Sequence, residues 1–390
     1  MNEAMRRTSH ESLAGAPDPW APSQMPSFRS RPPYVMTEMI AAEPALAERL
    51  VRRLVPDEVV ERLARIVREA ADAGLPIVTT GCGTSEHAAL GVAHLLDEAL
   101  GLQGGRRVLT ISALELLDAP PANGVVIAVS HEGGTLATNE AILAARDAGA
   151  ATALITASDR SPGAEIAETV LTTEEQDRSW CHTVGYLSPL LAGVVLAARL
   201  SGARPDGRAI RSLLDQSSDA RAAANLAAGL NGIDQLVVVG AGVDYPSARE
   251  LALKVAEGAR LPTSSHALET VLHGHLAAAT RWTGLALIQT DADRHPLVIE
   301  RTRRVLDAAR ALGMPAAAIL GGKIAGELSA ELTPAGRIVL PRPTRVRGAA
   351  GALLGAAVPL QLLAERLARA RGVDPDTLGR EDPAQAAAHA

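Results

Sequence analysis

Two short runs set glycines and hydroxyls side by side after strand-like sequence: Gly81-Cys82-Gly83-Thr84-Ser85 and Ser130-His131-Glu132-Gly133-Gly134-Thr135. Glycines let a backbone approach a ligand closely, and a helix that follows points main-chain N–H groups at an anion. Thr84, Ser85, Ser130 and Thr135 add hydroxyls to the main-chain donors around Gly83, Gly133 and Gly134, with His131 between them. One such run reads equally well as a tight turn with a serine helix cap. Two on consecutive strands of one sheet point to an anion site. Other phosphate-binding signatures are missing: the first strand is not followed by G-x-G-x-x-G, and no Gly-Lys-Ser or Gly-Lys-Thr follows a strand.

The runs need a scaffold, and the flanking sequence supplies one. Pro76–Thr80 and Val125–Val129 are short apolar strands, with helices expected from about Glu86 and over Leu136–Ala148; Ala153–Ile155 and Thr169–Leu171 read as further strands. Short apolar strands alternating with helices specify a parallel sheet covered on both faces. Ligands of such sheets bind beyond the carboxyl ends of the strands, where the strand order reverses. The pattern then returns in Leu236–Val239 with Gly240-Ala241-Gly242, Leu285–Gln289, Ala316–Leu320 and Ile338–Leu340, which matches Gly81 to Gly240 and Ser130 to Thr290 at an offset of about 160 residues. That period means domain duplication rather than a solenoid. Helical spacing runs through Met36, Met39, Ile40, Leu46, Leu50 and Leu54, then Val59, Leu63, Ile66 and Val67, and a single helix is expected over Arg208–Leu230. The expected organisation is a Pro-rich flexible arm (1–33), a first domain (34–205), a second domain (206–371) and a C-terminal tail (372–390), with the linker near Ser201–Asp206. The fold class is α/β, two tandem doubly wound parallel-sheet α/β/α sandwiches.

Composition narrows the partners. The 390 residues suit two cores, and with only 2% aromatic residues those cores must be built from Ala, Leu and Val. Few aromatics and a net charge of −6 argue against a nucleic-acid surface. Cys82 and Cys181 cannot frame a disulfide network or a cysteine zinc site. Neither a membrane span nor a signal peptide is expected, which makes the cytoplasm the default location.

The two turns resemble the phosphosugar-binding loops of sugar-isomerase (SIS) domains. Asp177-Arg178-Ser179-Trp180-Cys181-His182-Thr183 resembles a segment of the galactosamine-6-phosphate deaminase/isomerase branch. Ala252-Leu253-Lys254-Val255-Ala256-Glu257 and His273-Gly274 are similar to the isomerase half of glucosamine-6-phosphate synthase. Pro359–Ala364 and Gly372–Asp376 fit the C-terminal helix and tail of that family. The resemblance covers residues 34–378 and implies tandem SIS domains acting on a sugar phosphate or amino-sugar phosphate.

It implies Glu257 as the base that moves a proton between adjacent carbons, and His273 as the ring-opening residue, donated in relatives across a homodimer interface. Lys254 and Ser179 take supporting roles. No redox or metal cofactor is implied; His273 and His275 would make a metal pair only in an extended segment, and no acidic or sulfur ligand stands near. The chain departs from the family at Glu132, where relatives carry serine, and at His275, where they carry proline. It also departs in the tail, which lacks the lysine that forms a Schiff base in the synthase. The only lysines are Lys254 and Lys323. Expected, then, is a ketose–aldose isomerase or isomerising deaminase of an amino-sugar phosphate. The alternatives are a non-catalytic sugar-phosphate sensor, or an amino-transfer enzyme using ammonia from a separate glutaminase. A small-molecule ligand and a homodimer are the expected partners, with neither nucleic acid nor membrane.

Overall fold

The computed structural model describes residues 29–101, 107–173, 175–291, 295–341 and 345–388. Most of the expected N-terminal arm lies outside the described residues. Contacts group Ala42–Arg178 with Val184–Arg211 as one unit, and residues 29–41, Ser179–Thr183 and 212–388 as a second.

The first elements among the described residues are helices α1 (Val35–Leu54) and α2 (Glu58–Asp72). The first unit then alternates β1 (Ile77–Thr80), α3 (Thr84–Leu100), β2 (Leu109–Thr110), α4 (Ala113–Asp118), β3 (Val125–Val129) and α5 (Leu136–Ala148). It continues through β4 (Ala151–Thr156), α6 (Pro162–Ile166), β5 (Thr169–Thr172) and α7 (Val184–Leu200). All five strands are parallel, in the order β2-β1-β3-β4-β5. The order reverses between β1 and β3. Their crossover helices leave on opposite faces, α3 packing on α7 and α5 on α4. A crevice must therefore open where the two strands end.

After α8 (Gly207–Ser217) and α9 (Ala220–Gly229) the second unit runs through β6 (Gln235–Gly240), α10 (Tyr245–Ala259), β7 (Thr263–Ala267), α11 (Leu268–Val271) and β8 (Thr283–Gln289). It closes with α12 (Pro296–Ala311), β9 (Ala316–Gly321), α13 (Gly322–Glu327), β10 (Gly336–Leu340), α14 (Gly348–Ala370) and α15 (Pro383–Ala388). Its parallel sheet, β10-β9-β8-β6-β7, has the same order written from the other edge. The duplication implied by the sequence is thus a duplication of topology.

Period-two alternation decides which helices cover which face. Val237 and Val239, Leu285 and Leu287, and Ala316, Ala318 and Leu320 point to one side, against Leu268 of α11, Val305 and Leu306 of α12 and Ile324 of α13. In the first unit Val78 and Val126 meet Leu116 of α4 and Ala141 and Ala145 of α5. Alanine at the contact brings helix close to sheet, so a chain poor in aromatic residues still fills its core. α14 is long and apolar enough to cross a membrane, contrary to the expectation that no segment is. However, 89% of its apolar window is buried within the protein, as in a core helix.

Three elements differ from the sequence reading. Arg208–Leu230 is two helices, because Asp219 accepts from the amides of Arg221 and Ala222 and starts α9 afresh. β2 and β7 are additional edge strands. β2 is two residues long, and β7 is the polar run Thr-Ser-Ser-His-Ala, so neither presents an apolar signature.

Candidate functional site

The two hydroxyl-lined turns of the first unit come together at its switch point. β1 and β3 are paired, so the turns that follow them are neighbours. Ser85 Oγ accepts from the His131 amide at 3.3 Å and joins one turn to the other. Gly81 is required here: an added Cβ would lie 2.8 Å from the Ser85 carbonyl oxygen, so a side chain would push the first turn of α3 off the strand.

Some helix starts are capped by side chains, among them Asp57 on α2, Ser112 on α4, Ser161 on α6, Asp219 on α9 and His295 on α12, whereas those of α10, α11, α13 and α14 are not. Neither α3 nor α5 has a side-chain cap; Gly83 and Thr135 stand at their N-cap positions. The positive ends of α3 and α5 therefore meet, with no side-chain cap on either, where the strand order of the first sheet reverses. Ser130 ends β3 with 2% of its surface exposed, and its hydroxyl has no hydrogen-bond partner within the protein. The Thr80 hydroxyl at the end of β1 is in the same condition. Buried polar groups are normally paired, and those that are not call for an explanation. Ser130 was read from the sequence as a binding residue; Thr80 was not, because a threonine inside a strand carries no signal of its own.

The other first-unit positions divide by duty. Gly83, Thr135 and Gly134 are exposed, Ser85 is half-buried and Thr84 is buried. Gly133 holds the turn: its φ is +68°, and its carbonyl accepts from the Gly163 amide at 2.8 Å and Asn139 Nδ2 at 3.3 Å. His131 turns inward. Its Nε2 accepts from the Asp177 amide at 3.0 Å, which leaves the ring proton on Nδ1. Burial pushes its pKa down, and the Asp177 carboxylate, 3.7 Å away, opposes this only in part. The ring is neutral and ties the second turn to Asp177, whose carboxylate also accepts from the Gly185 amide at 2.6 Å.

In the second unit α10 carries a charged row. Lys254 Nζ is 2.5 Å from Glu257 Oε2 and 3.7 Å from Glu250 Oε1. Glu250 is fully buried and the Lys254 side chain is 1% exposed, whereas Glu257 keeps 23% of its side chain at the surface. Burial works against the ammonium, but the carboxylates of Glu257 and Glu250 outweigh it and hold the Lys254 pKa above the ordinary lysine value. The row presents one outward carboxylate backed by a permanently protonated amine. Cys181 packs behind it, its thiol 3.8 Å from the Lys254 carbonyl and its pKa raised by burial.

Ser179 is buried near Asp376, whose carboxylate accepts from the Val35 and Met36 amides at 2.7 and 2.8 Å and whose carbonyl accepts from Trp180. Arg380 lies over the Trp180 ring at 4.2 Å. His273 is 70% exposed and 3.0 Å from Glu269 Oε1, and Arg301 lies on the other carboxylate oxygen at 2.9 Å. His273 and His275 do not form a pair. The segment is a helical turn rather than extended, and the His275 ring stacks on His266 instead, with centroids 3.9 Å apart. No group of three or more His, Cys, Asp or Glu side chains placed to hold a metal occurs among the described residues.

Residues 71–199 match the SIS domain model, a span that contains both turns. An isomerizing glutamine–fructose-6-phosphate aminotransferase of Symbiobacterium thermophilum is 27% identical over 379 residues, covering 92% of this chain and 59% of that protein's length. The chain therefore spans about three-fifths of that relative. Among solved structures, the C-terminal domain of glucosamine-fructose-6-phosphate aminotransferase from Francisella tularensis shares the fold, with a TM-score of 0.75 at 16% identity over 90% of this chain and all of that one. Tagatose-6-phosphate ketose/aldose isomerase from Escherichia coli does so with a TM-score of 0.73 at 17% identity, over 92% of this chain and 98% of that one. Residues 71–199 are thus similar to a SIS domain, and the two-sheet fold of the chain is shared with both solved structures.

Proposed function

We propose that the chain is a cytoplasmic enzyme of sugar-phosphate metabolism. It binds a phosphorylated sugar at the switch point of its first unit and acts as a ketose–aldose isomerase or isomerising deaminase of an amino-sugar phosphate. One observation carries the binding half of this reading: two helices without side-chain caps converge with the buried, unpartnered Ser130 hydroxyl. Main-chain N–H groups and hydroxyls at helix starts are what a phosphate dianion requires. Gly83, Thr84, Ser85, Ser130 and Thr135 are proposed to touch the phosphate, while Gly133 and His131 hold the turn that presents it.

The family resemblance supplies the chemical half. Glu257 is the proposed base: it takes a proton from the carbon beside the carbonyl, giving an enediol or enolamine, and returns it to the neighbouring carbon. The Lys254 ammonium at 2.5 Å favours the ionised carboxylate that this step needs. Lys254 itself, held protonated between two carboxylates, is a poor candidate for a Schiff-base nucleophile. His273 is the proposed ring-opening residue, shifting a proton between the anomeric hydroxyl and the ring oxygen, with Glu269 orienting its imidazole at 3.0 Å. In a two-fold homodimer it would serve the partner's sugar, as the resemblance implies.

Glu257→Gln tests the chemistry: turnover falls by about 10²–10⁴-fold with sugar-phosphate affinity retained, whereas unchanged turnover removes Glu257 from the mechanism. The relative from Symbiobacterium thermophilum is an aminotransferase, which favours amino transfer as the second reading. Because amination by free ammonium is the reverse of deamination and any deaminase would catalyse it, co-purification of a separate glutaminase is what would establish amino transfer.

A further inference from the structure

The second sheet repeats the switch point of the first, and its turns are superposable in register. Both ladders pair residues 48 positions apart, Ile77 with Val125 and Gln235 with Thr283. A Cβ on Gly81 would strike the Ser85 carbonyl oxygen at 2.8 Å, and one on Gly240 would strike the Asp244 carbonyl oxygen at 2.7 Å. Gly81 therefore corresponds to Gly240, Ser85 to Asp244, Ser130 to Gln289 and His131 to Thr290. This moves the match to Ser130 one residue back from the Thr290 expected from the sequence.

The corresponding positions behave differently. In the first unit the neutral Ser85 hydroxyl accepts the His131 amide. In the second, Asp244 Oδ2 accepts from the Thr290 amide at 3.1 Å, the Asp291 amide at 3.4 Å and Gln289 Nε2 at 3.1 Å, while Thr290 Oγ1 donates to Oδ1. Asp244 is 1% exposed. Successive main-chain N–H groups, a hydroxyl and an amide converging on one buried carboxylate form the donor set of an oxyanion site.

We propose that Asp244 is a resident anion: its carboxylate fills the oxyanion cradle of the second switch point, so that this unit takes no phosphate, and removing the carboxylate opens a phosphate site there. The inference deepens the reading of the first unit by limiting the chain to one phosphorylated ligand. Only that count of one rests on the reading.

The test uses the full-length chain as wild type, as Asp244→Ser, which installs the first unit's residue, and as Asp244→Asn, which keeps the size and withdraws the charge. Thermal unfolding is followed against inorganic phosphate at constant ionic strength, and bound phosphate is counted by equilibrium dialysis. The wild-type response reports on the first switch point alone, and its absence would refute the proposed function without touching this inference. The expected result is that both variants melt below wild type without phosphate. They then gain roughly 2–4 °C more than wild type in saturating phosphate, with one more phosphate bound per chain. A variant that needs phosphate to fold at all gives the same answer. Folded variants whose response and count equal those of wild type overturn the proposal, as do two phosphates on wild type or failure of both variants to fold even in phosphate.

Discussion

Replacing Gly133 by alanine is the sharpest perturbation of the second turn. At φ +68° the residue sits where an L side chain costs about 1–2 kcal/mol. The new methyl would also lie 2.0 Å from Ser161 Oγ and 2.4 Å from Ser161 Cβ. Forcing a carbon into a packed site costs about 1–3 kcal/mol, so the expected loss is about 2–5 kcal/mol. Ser161 cannot simply swing aside, because its hydroxyl caps α6 by accepting from the Ala164 amide. Urea unfolding followed by circular dichroism measures the loss, and titration with a hexose 6-phosphate measures the damage to the site. Gly133→Ala with Ser161→Gly removes the contact with Ser161 but keeps the backbone strain and the 3.0 Å approach to Thr156 Oγ1 and gives up the α6 cap, so it should recover only part of the steric cost. A Gly133→Ala protein within about 0.5 kcal/mol of wild type, binding hexose phosphate as tightly, would refute both the turn geometry and its link to binding.

The charged row of α10 and the buried histidine give two more expectations. Lys254→Met leaves fully buried Glu250 without its cation and should cost about 3–5 kcal/mol. Adding Glu250→Leu should restore most of that in denaturant titration, because an apolar pair of similar volume needs no cation. His131 is held neutral, its pKa below the free value near 6.5. The unfolded chain then binds more protons, so the histidine's contribution is complete above about pH 6.5 and is lost as pH falls toward its folded pKa. His266, lowered by burial and by His275, adds to the same window. Melting temperature from pH 7 to 5 should fall less steeply in His131→Gln, which keeps an acceptor for the Asp177 amide, than in wild type. Equal slopes would show that His131 is not held neutral.

How much of this was legible in the sequence depended on distance along the chain. β3 and α5 have the bounds read from the sequence, because an apolar run bracketed by glycine and hydroxyl residues leaves little freedom. The central strands β1, β4, β6, β8 and β9 were found for the same reason, to within a residue or two at their ends. The edge strands β5 and β10 were found as short apolar runs, whereas β2 and β7 escaped because their pairing comes from a neighbour rather than from their own composition. Lys254 with Glu250 was visible as a helical i, i+4 pair, but which carboxylate lies closer was not. The inward turn of His131 was hidden because its partner is 46 residues on, and the grip of Asp244 because its partners are 45 to 47 residues on.

The central claim is that the first switch point holds the phosphate of a sugar. The most direct measurement is thermal shift of wild type and Ser130→Asp against hexose 6-phosphates, hexosamine 6-phosphates and their unphosphorylated counterparts. Phosphorylated sugars alone should stabilise wild type, and that stabilisation should be lost in folded Ser130→Asp, where a carboxylate faces the phosphate. Equal stabilisation by unphosphorylated sugars, or a Ser130→Asp protein that responds as wild type does, would contradict the claim.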